Sequence, residues 1–422
     1  MLITENMAAE VLKQVRILDP VTQTDAIADV VISEGKIAQI APQIAETPEN
    51  AEMIAAPGLI LAPGLVDLYS YSSEPGYEDR ETLQTLAASA LAGGFTRVAL
   101  LPNTDPVIDN ASNLGWLSRN APPAPKFYPW GAISKGGAGQ EMTELAELAQ
   151  SGCVGFTDNQ PLSSSLLLRR VLEYGALCQK PVALVACDRA LRGDGVMREG
   201  KLSIQAGLPG DPVMSETSAI ASICEIVADL RQPVHFMRIS TQRSVEIIAQ
   251  AKNRGLPITA STTWLHLLKD NRAITSYDTN LRLDPPLGNP EDRFALIDGV
   301  KQGIIDAIAI DHAPYTYEEK TVAFAEAPPG AIGLELALPL LWQSLVETQQ
   351  ISPLTLLKAL SPSPLHCLQQ EPIAIAVGCE AELILFDPNA VWTVTATTLK
   401  SRSQNTSWLK REIKGKVVKV WS

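Results

Sequence analysis

The sequence predicts an α/β protein: a (β/α)8 barrel of the TIM type, set between two halves of a small β-sandwich domain. Three observations lead there. From residue 65 onward, short apolar runs rich in β-formers alternate with amphipathic helical stretches, and strands buried on both faces and spaced by helices form a parallel sheet. There are about eight such units, the number that closes a barrel. Both chain ends show alternating apolar residues and tight-turn signals instead, the pattern of half-buried antiparallel strands.

Taken in order, residues 1–62 form the first part of the β-domain, with Val30 to Ile40 read as a hairpin turning at Glu34-Gly-Lys36. The barrel occupies 63–372. Its strands are expected at Leu65–Tyr69, Thr96–Leu101, Lys126–Ala132, Cys153–Thr157, Pro181–Ala186, Pro233–Arg238, Pro257–Ser261 and Asp306–Ile310. Helices are expected over Ser163–Gln179, Ser244–Asn253 and Glu291–Gln302. Residues 373–422 return to the β-domain through Glu382–Phe386, Trp392–Thr395 and Lys416–Val420.

Composition bounds the function. The apolar share of 46% and charged share of 19% are those of an ordinary globular protein with a full core. A formal charge of −13 repels a phosphate backbone, and no basic run with interleaved aromatics offsets it, so nucleic acid is not an expected partner. No stretch reaches the ~18 apolar residues of a membrane span. The segment Met1-Leu-Ile-Thr-Glu-Asn6 lacks the basic start and apolar core of a signal peptide. Six cysteines are scattered without C-x-x-C pairing, as reduced core thiols are. The expected location is the cytoplasm.

The motifs carry a family resemblance. Leu65-Val-Asp-Leu-Tyr-Ser-Tyr-Ser-Ser-Glu-Pro-Gly76, Gly93-Gly-Phe-Thr-Arg-Val-Ala-Leu-Leu-Pro-Asn-Thr104, Gly152-Cys-Val-Gly-Phe-Thr-Asp158, His235-Phe-Met-Arg-Ile-Ser-Thr241, Ile310-Asp-His-Ala-Pro-Tyr315 and Pro328-Pro-Gly-Ala-Ile-Gly-Leu-Glu335 follow one another in the order of the dihydroorotases. These are metal-dependent cyclic amidohydrolases of pyrimidine synthesis, and the chain resembles them over nearly its whole length. The resemblance implies the amidohydrolase kind of barrel, with its chemistry at the C-terminal ends of the strands.

Aligned in this way, the chain departs from the family where the metal should sit. The family's Asp-x-His-x-His has become Asp67-Leu-Tyr69-Ser-Tyr71, the histidine of His-Cys-Glu-Asp has become Val185, and the second histidine of His-x-x-His has become Arg238. Valine offers no donor atom, and a guanidinium is cationic with no acceptor. A hydrolytic zinc site needs three or four N or O donors and an open position for water. Two acidic slots persist: Asp158 on a metal-ligand slot, and Asp311 on the slot that is both ligand and general base. Each is expected to pair with Arg238 inside the old cavity, because buried charges need partners.

Substrate slots change too. Asn103 is retained, whereas Ser73 replaces the carboxylate-binding arginine and cannot supply its bidentate fork. Asp284 replaces an asparagine and Tyr315 replaces the last histidine of Asp-His-Ala-Pro-His. Of the four histidines, His235, His266 and His312 are expected in structural roles and His366 in none. The resemblance then implies a dihydroorotase-like chain without catalysis or metal, one that serves as a structural partner of aspartate carbamoyltransferase in a homo- or hetero-oligomer. An active dihydroorotase or cyclic amidohydrolase with a reduced zinc site of Asp158, Asp311 and His235 is the alternative. A third reading is a module binding a small metabolite through Arg238 and Asn103.

Overall fold

The computed structural model describes residues 9–422, so the signal-peptide reading of Met1–Asn6 lies outside the described residues. The strands, in chain order, are β1 (Glu10–Asp19), β2 (Thr24–Ser33), β3 (Lys36–Ala41), β4 (Glu52–Ala55), β5 (Ile60–Pro63), β6 (Leu65–Tyr71), β7 (Phe95–Leu101), β8 (Lys126–Pro129), β9 (Val182–Val185), β10 (Met197–Arg198), β11 (Gly210–Asp211), β12 (Val234–Met237), β13 (Ile258–Thr263), β14 (Ala307–Ala309), β15 (Leu383–Thr393) and β16 (Glu412–Trp421).

The barrel wall is parallel throughout: β6, β7 and β8 pair in one arc and β9, β12, β13 and β14 in another. The fourth position is thinner than the sequence suggests. Instead of a strand over Cys153–Thr157, Phe156 alone bridges Gly131 on one side and Val182 on the other. Gly155 explains the tight passage, because a Cβ there would clash with the Trp130 ring and the Pro181 carbonyl. The ring closes where Asp67 on β6 accepts a 2.7 Å bond from the Ile310 amide, and the Tyr71 amide donates to His312 O at 2.9 Å.

Both chain ends share one seven-stranded sheet in the order β16-β15-β5-β1-β2-β3, with β4 also on β1. The small β-domain expected from both chain ends is built on this one sheet and has its own core. A bulge between Leu12 and Val15 lets the first half of β1 pair with β4 and the second half with β5. Leu12, Ile17, Val30, Ile37, Leu61 and Leu385 meet in that core. Sheet and barrel are joined by Glu382, which accepts from Arg97 Nε at 2.7 Å, Thr96 Oγ1 at 2.8 Å and Lys126 Nζ at 3.2 Å.

The helices follow their sequence signals. Thr241 caps Gln242–Asn253 through the Ser244 amide, and Asn289 with Asp292 forms a capping box ahead of Pro290–Gln302. Among the described residues, no helix is long and apolar enough to cross a membrane.

Candidate functional site

At the C-terminal mouth of the barrel, Arg238 follows β12 and Asp311 follows β14. Both turn into the left-handed region, with φ of 54° and 52°, which aims their side chains at each other across the mouth. Arg238 Nε donates to one Asp311 oxygen at 2.7 Å and Nη2 to the other at 2.5 Å, a bidentate fork. Arg238 is buried, whereas the Asp311 side chain keeps 18% exposure. Burial alone would depress the guanidinium, but the Asp311 charge outweighs it and holds the group well above its ordinary value. The guanidinium also lies 5.3 Å from the centre of the Tyr69 ring.

Beneath this pair runs a chain of hydroxyls. The Arg238 amide donates to Tyr69 Oη at 3.1 Å, Tyr69 Oη meets Ser261 Oγ at 2.8 Å, and Ser261 Oγ meets His235 Nε2 at 2.8 Å. His235 Nδ1 ends the chain on Thr259 Oγ1 at 2.9 Å. One direction of donation satisfies every atom: Tyr69 gives its proton to Ser261, Ser261 to Nε2, and Nδ1–H to Thr259. Burial lowers the His235 pKa to about 3, which keeps the ring neutral as that direction requires. Burial likewise drives the Tyr69 phenol above its ordinary value.

The second retained carboxylate behaves differently from expectation. Asp158 does not reach Arg238; its two oxygens accept from the Ser134 amide at 2.8 Å and Ser134 Oγ at 2.6 Å. The Ser134 turn satisfies Asp158 locally, and burial still outweighs those donors to raise its pKa. The Tyr71 and Val185 slots offer no free donor either. Tyr71 Oη accepts from Asn159 Nδ2 at 2.8 Å. Val185 stands at the end of β9 with only its apolar side chain to offer.

The substrate-slot residues are dispersed among unrelated contacts. Asp284 is gripped by Arg192 Nη1 at 2.8 and 3.0 Å, a partner the sequence reading missed. Tyr315 Oη donates to the Pro329 carbonyl at 3.2 Å. Ser73 is buried and its carbonyl accepts the Tyr77 amide at 2.7 Å. Asn103 is half-buried, with Oδ1 enclosed and making no hydrogen bond among the described residues. The remaining histidines divide as their neighbours dictate. His266 bonds Thr263 at 2.8 Å and the Pro285 carbonyl at 3.2 Å, and burial lowers it to about 4. His312 accepts the Gly333 amide at 3.1 Å, and His366 is exposed.

Asp67 also went unassigned from sequence. It accepts from Ser70 Oγ at 2.5 Å and the Ile310 amide, and burial raises it to about 7, with Asp311 nearby contributing. Its position two residues before Tyr69 in the Asp-x-His-x-His frame was the available signal.

A dihydro-orotase-like family model matches residues 58–244. A probable dihydroorotase-like protein of Synechocystis sp. is 48% identical over 96% of this chain and 98% of its own. The dihydroorotase of Geobacter sp. is 38% identical over 96% of this chain and 95% of its own. The chain belongs to the dihydroorotase family. The L-hydantoinase (dihydropyrimidinase) of Arthrobacter aurescens shares the fold at TM-score 0.85, with 20% identity over 98% of this chain and 94% of that one.

For this dihydroorotase-family chain, the donor set does not fit the metal that the resemblance implies. The slots hold a phenol bonded to serine, a phenol bonded to asparagine, a valine and a guanidinium. Among the described residues, no three His, Cys, Asp or Glu side chains converge as a metal site. A divalent cation ~4 Å from the guanidinium would meet a repulsion of roughly 8 kcal/mol at an effective dielectric near 20. One pocket beside Arg238, lined by Val185, Glu216, Met237 and Asp284, holds about 10 Å³. That is barely one water molecule.

Proposed function

We propose that this chain is a non-catalytic dihydroorotase-like protein that acts as a structural partner of aspartate carbamoyltransferase. The observation that carries the first half is the Arg238–Asp311 fork across the barrel mouth. The residue on the general-base slot has both oxygens committed to a permanent cation, which cannot take up or release protons near neutrality. His235, the imidazole in the hydroxyl chain beneath the pair, has both nitrogens engaged and is held neutral by burial. What the family would use for hydrolysis is here used to tie strand ends together.

The partner follows from the family resemblance and from the pattern of change. Metal slots and substrate slots are altered together, while the motifs that shape the barrel persist. That combination fits a chain whose value lies in its surface.

Two measurements test the proposal. Purified protein, with and without added zinc, is assayed for dihydroorotate hydrolysis and for the reverse cyclisation, alongside elemental analysis. The expected result is no turnover above the blank and no stoichiometric zinc. Turnover that rises with one tightly held zinc per chain would overturn the non-catalytic reading. Co-expression with the carbamoyltransferase of the same cell, followed by size-exclusion chromatography, tests the partner; separate elution at micromolar concentration would overturn that half alone.

A further inference from the structure

We propose that a groove on the N-terminal face of the barrel, where it meets the β-domain, binds a small polar metabolite through its phosphate groups. The groove lies where the strands begin, at the opposite end from Arg238 and Asp311, and the proposal stands whether or not the mouth is catalytic.

Two cavities adjoin there. One, of about 520 Å³, is bounded by Lys301, Gln302, Asp306 and Ser363, with Gln23 from the turn between β1 and β2. Asp306 directly precedes β14, which places this cavity at the strand starts. The other, of about 540 Å³, lies between Pro20 and Val21 of the same turn and Gln369–Pro372, in the link from the last barrel helix to β15. Lys358, Pro362 and His366 line both, so the two form one groove. Each cavity falls within the ~300–1,000 Å³ of small-molecule sites, which concentrate at domain junctions.

Charge says what the groove would hold. The chain carries −13 overall, yet cations gather here. Lys301, Lys358 and His366 are exposed, and none makes an ion pair or side-chain hydrogen bond among the described residues. Each lysine sits in the last turn of its own helix, where the helix dipole favours a cation. That preference acts on each helix alone and does not bring both ammonium groups to one cavity. Like charges around a cavity repel, and an anion between them turns the repulsion into attraction. Lysine meets phosphate as a point charge. Gln302 and Ser363 add an amide and a hydroxyl with no hydrogen-bond partner among the described residues, donors that suit phosphate oxygens and a polar body.

The carboxylates decide which end takes the phosphate. Asp306 is neutralised, its Oδ2 accepting from Lys252 Nζ and the Ala260 amide, both at 2.7 Å. Glu371 lines the second cavity, exposed and outside any ion pair among the described residues. The phosphate therefore belongs between Lys301 and Lys358, with the rest of the ligand running past His366 toward Glu371.

The test is calorimetric titration of the full-length chain with pyrophosphate and with fructose 1,6-bisphosphate. Both probes are expected to bind once per chain, tighter than about 1 mM at low salt, and to weaken as salt is added. Lys301→Glu with Lys358→Glu should weaken binding at least about tenfold, and His366→Gln should weaken it less. Lys201→Glu with Lys416→Glu, two exposed lysines outside the groove, makes the same change in net charge and should leave binding as it is. Glu371→Gln should tighten it. Circular dichroism confirms that each variant is folded. No saturable binding of either probe, or an equal loss in the groove pair and the control pair, overturns the proposal. So does a groove that takes a hexaglutamate peptide but neither phosphate probe, which would make it a docking site for an acidic chain.

Discussion

Removing the Arg238 side chain probes the strongest claim about the barrel mouth. Arg238→Ala deletes two charge-assisted bonds at 2.7 and 2.5 Å and the contact over Tyr69. It also leaves Asp311 without its cation. Breaking a buried ion pair costs about 3–5 kcal/mol, mostly through the stranded charge. The 18% exposure of the Asp311 side chain lets water recover part of that, which places the expected loss near the lower end, about 3 kcal/mol. Denaturant unfolding followed by tryptophan fluorescence and circular dichroism gives the shift. Asp311→Asn strands the guanidinium instead, and its residue type tolerates the left-handed backbone at that position. A double variant, Arg238→Met with Asp311→Asn, removes both charges and should cost less than the two single changes added, by on the order of 2 kcal/mol. An Arg238→Ala midpoint indistinguishable from wild type, or strict additivity in the cycle, would refute a buried, mutually dependent pair.

Three further outcomes follow from the same geometry. Asp67 is held at about 7 by burial, above its unfolded value. Its stabilising contribution is therefore fully present below pH ~4 and lost as pH rises toward 7, about 4 kcal/mol at 1.36 per unit. Wild type compared with Asp67→Asn across pH 4–8 should show that slope, and parallel curves would refute it. His235, lowered to about 3, acts oppositely: its contribution is present above pH ~6.5 and lost as pH falls toward 3. His235→Gln should flatten the acid limb of the stability curve, and an acid limb as steep as wild type would contradict a neutral buried ring. Tyr69→Phe takes away the link between the Arg238 amide and Ser261; the expected cost is about 1–3 kcal/mol from the unsatisfied groups, read by urea titration.

The chain alone determined the architecture and the departures from the family's metal slots. Strand type, helix caps and the alternation at both ends are local signals, set by side-chain period and turn chemistry within a few residues. That Val185 cannot ligate, and that Arg238 opposes a cation, is likewise a property of residue type that no fold can reverse. Partner choice was not local. Arg238 lies eighty residues from Asp158 and 73 from Asp311, and the sequence offered both carboxylates. Asp311 takes the guanidinium because the two strand ends turn inward across the mouth, while the Ser134 turn reaches Asp158 first. The Tyr69–Ser261–His235 chain and the grip of Arg192 on Asp284 were invisible for the same reason. They join residues brought together only by barrel closure, and a hydrogen bond leaves no periodicity in the chain. The thinning of the wall at Phe156 belongs there too, since the apolar run from Cys153 reads as strand until Trp130 and Pro181 crowd Gly155. Sequence fixes what each side chain can do; packing decides which neighbour it does it to, because burial forces every charge and hydroxyl to find a partner among those within reach.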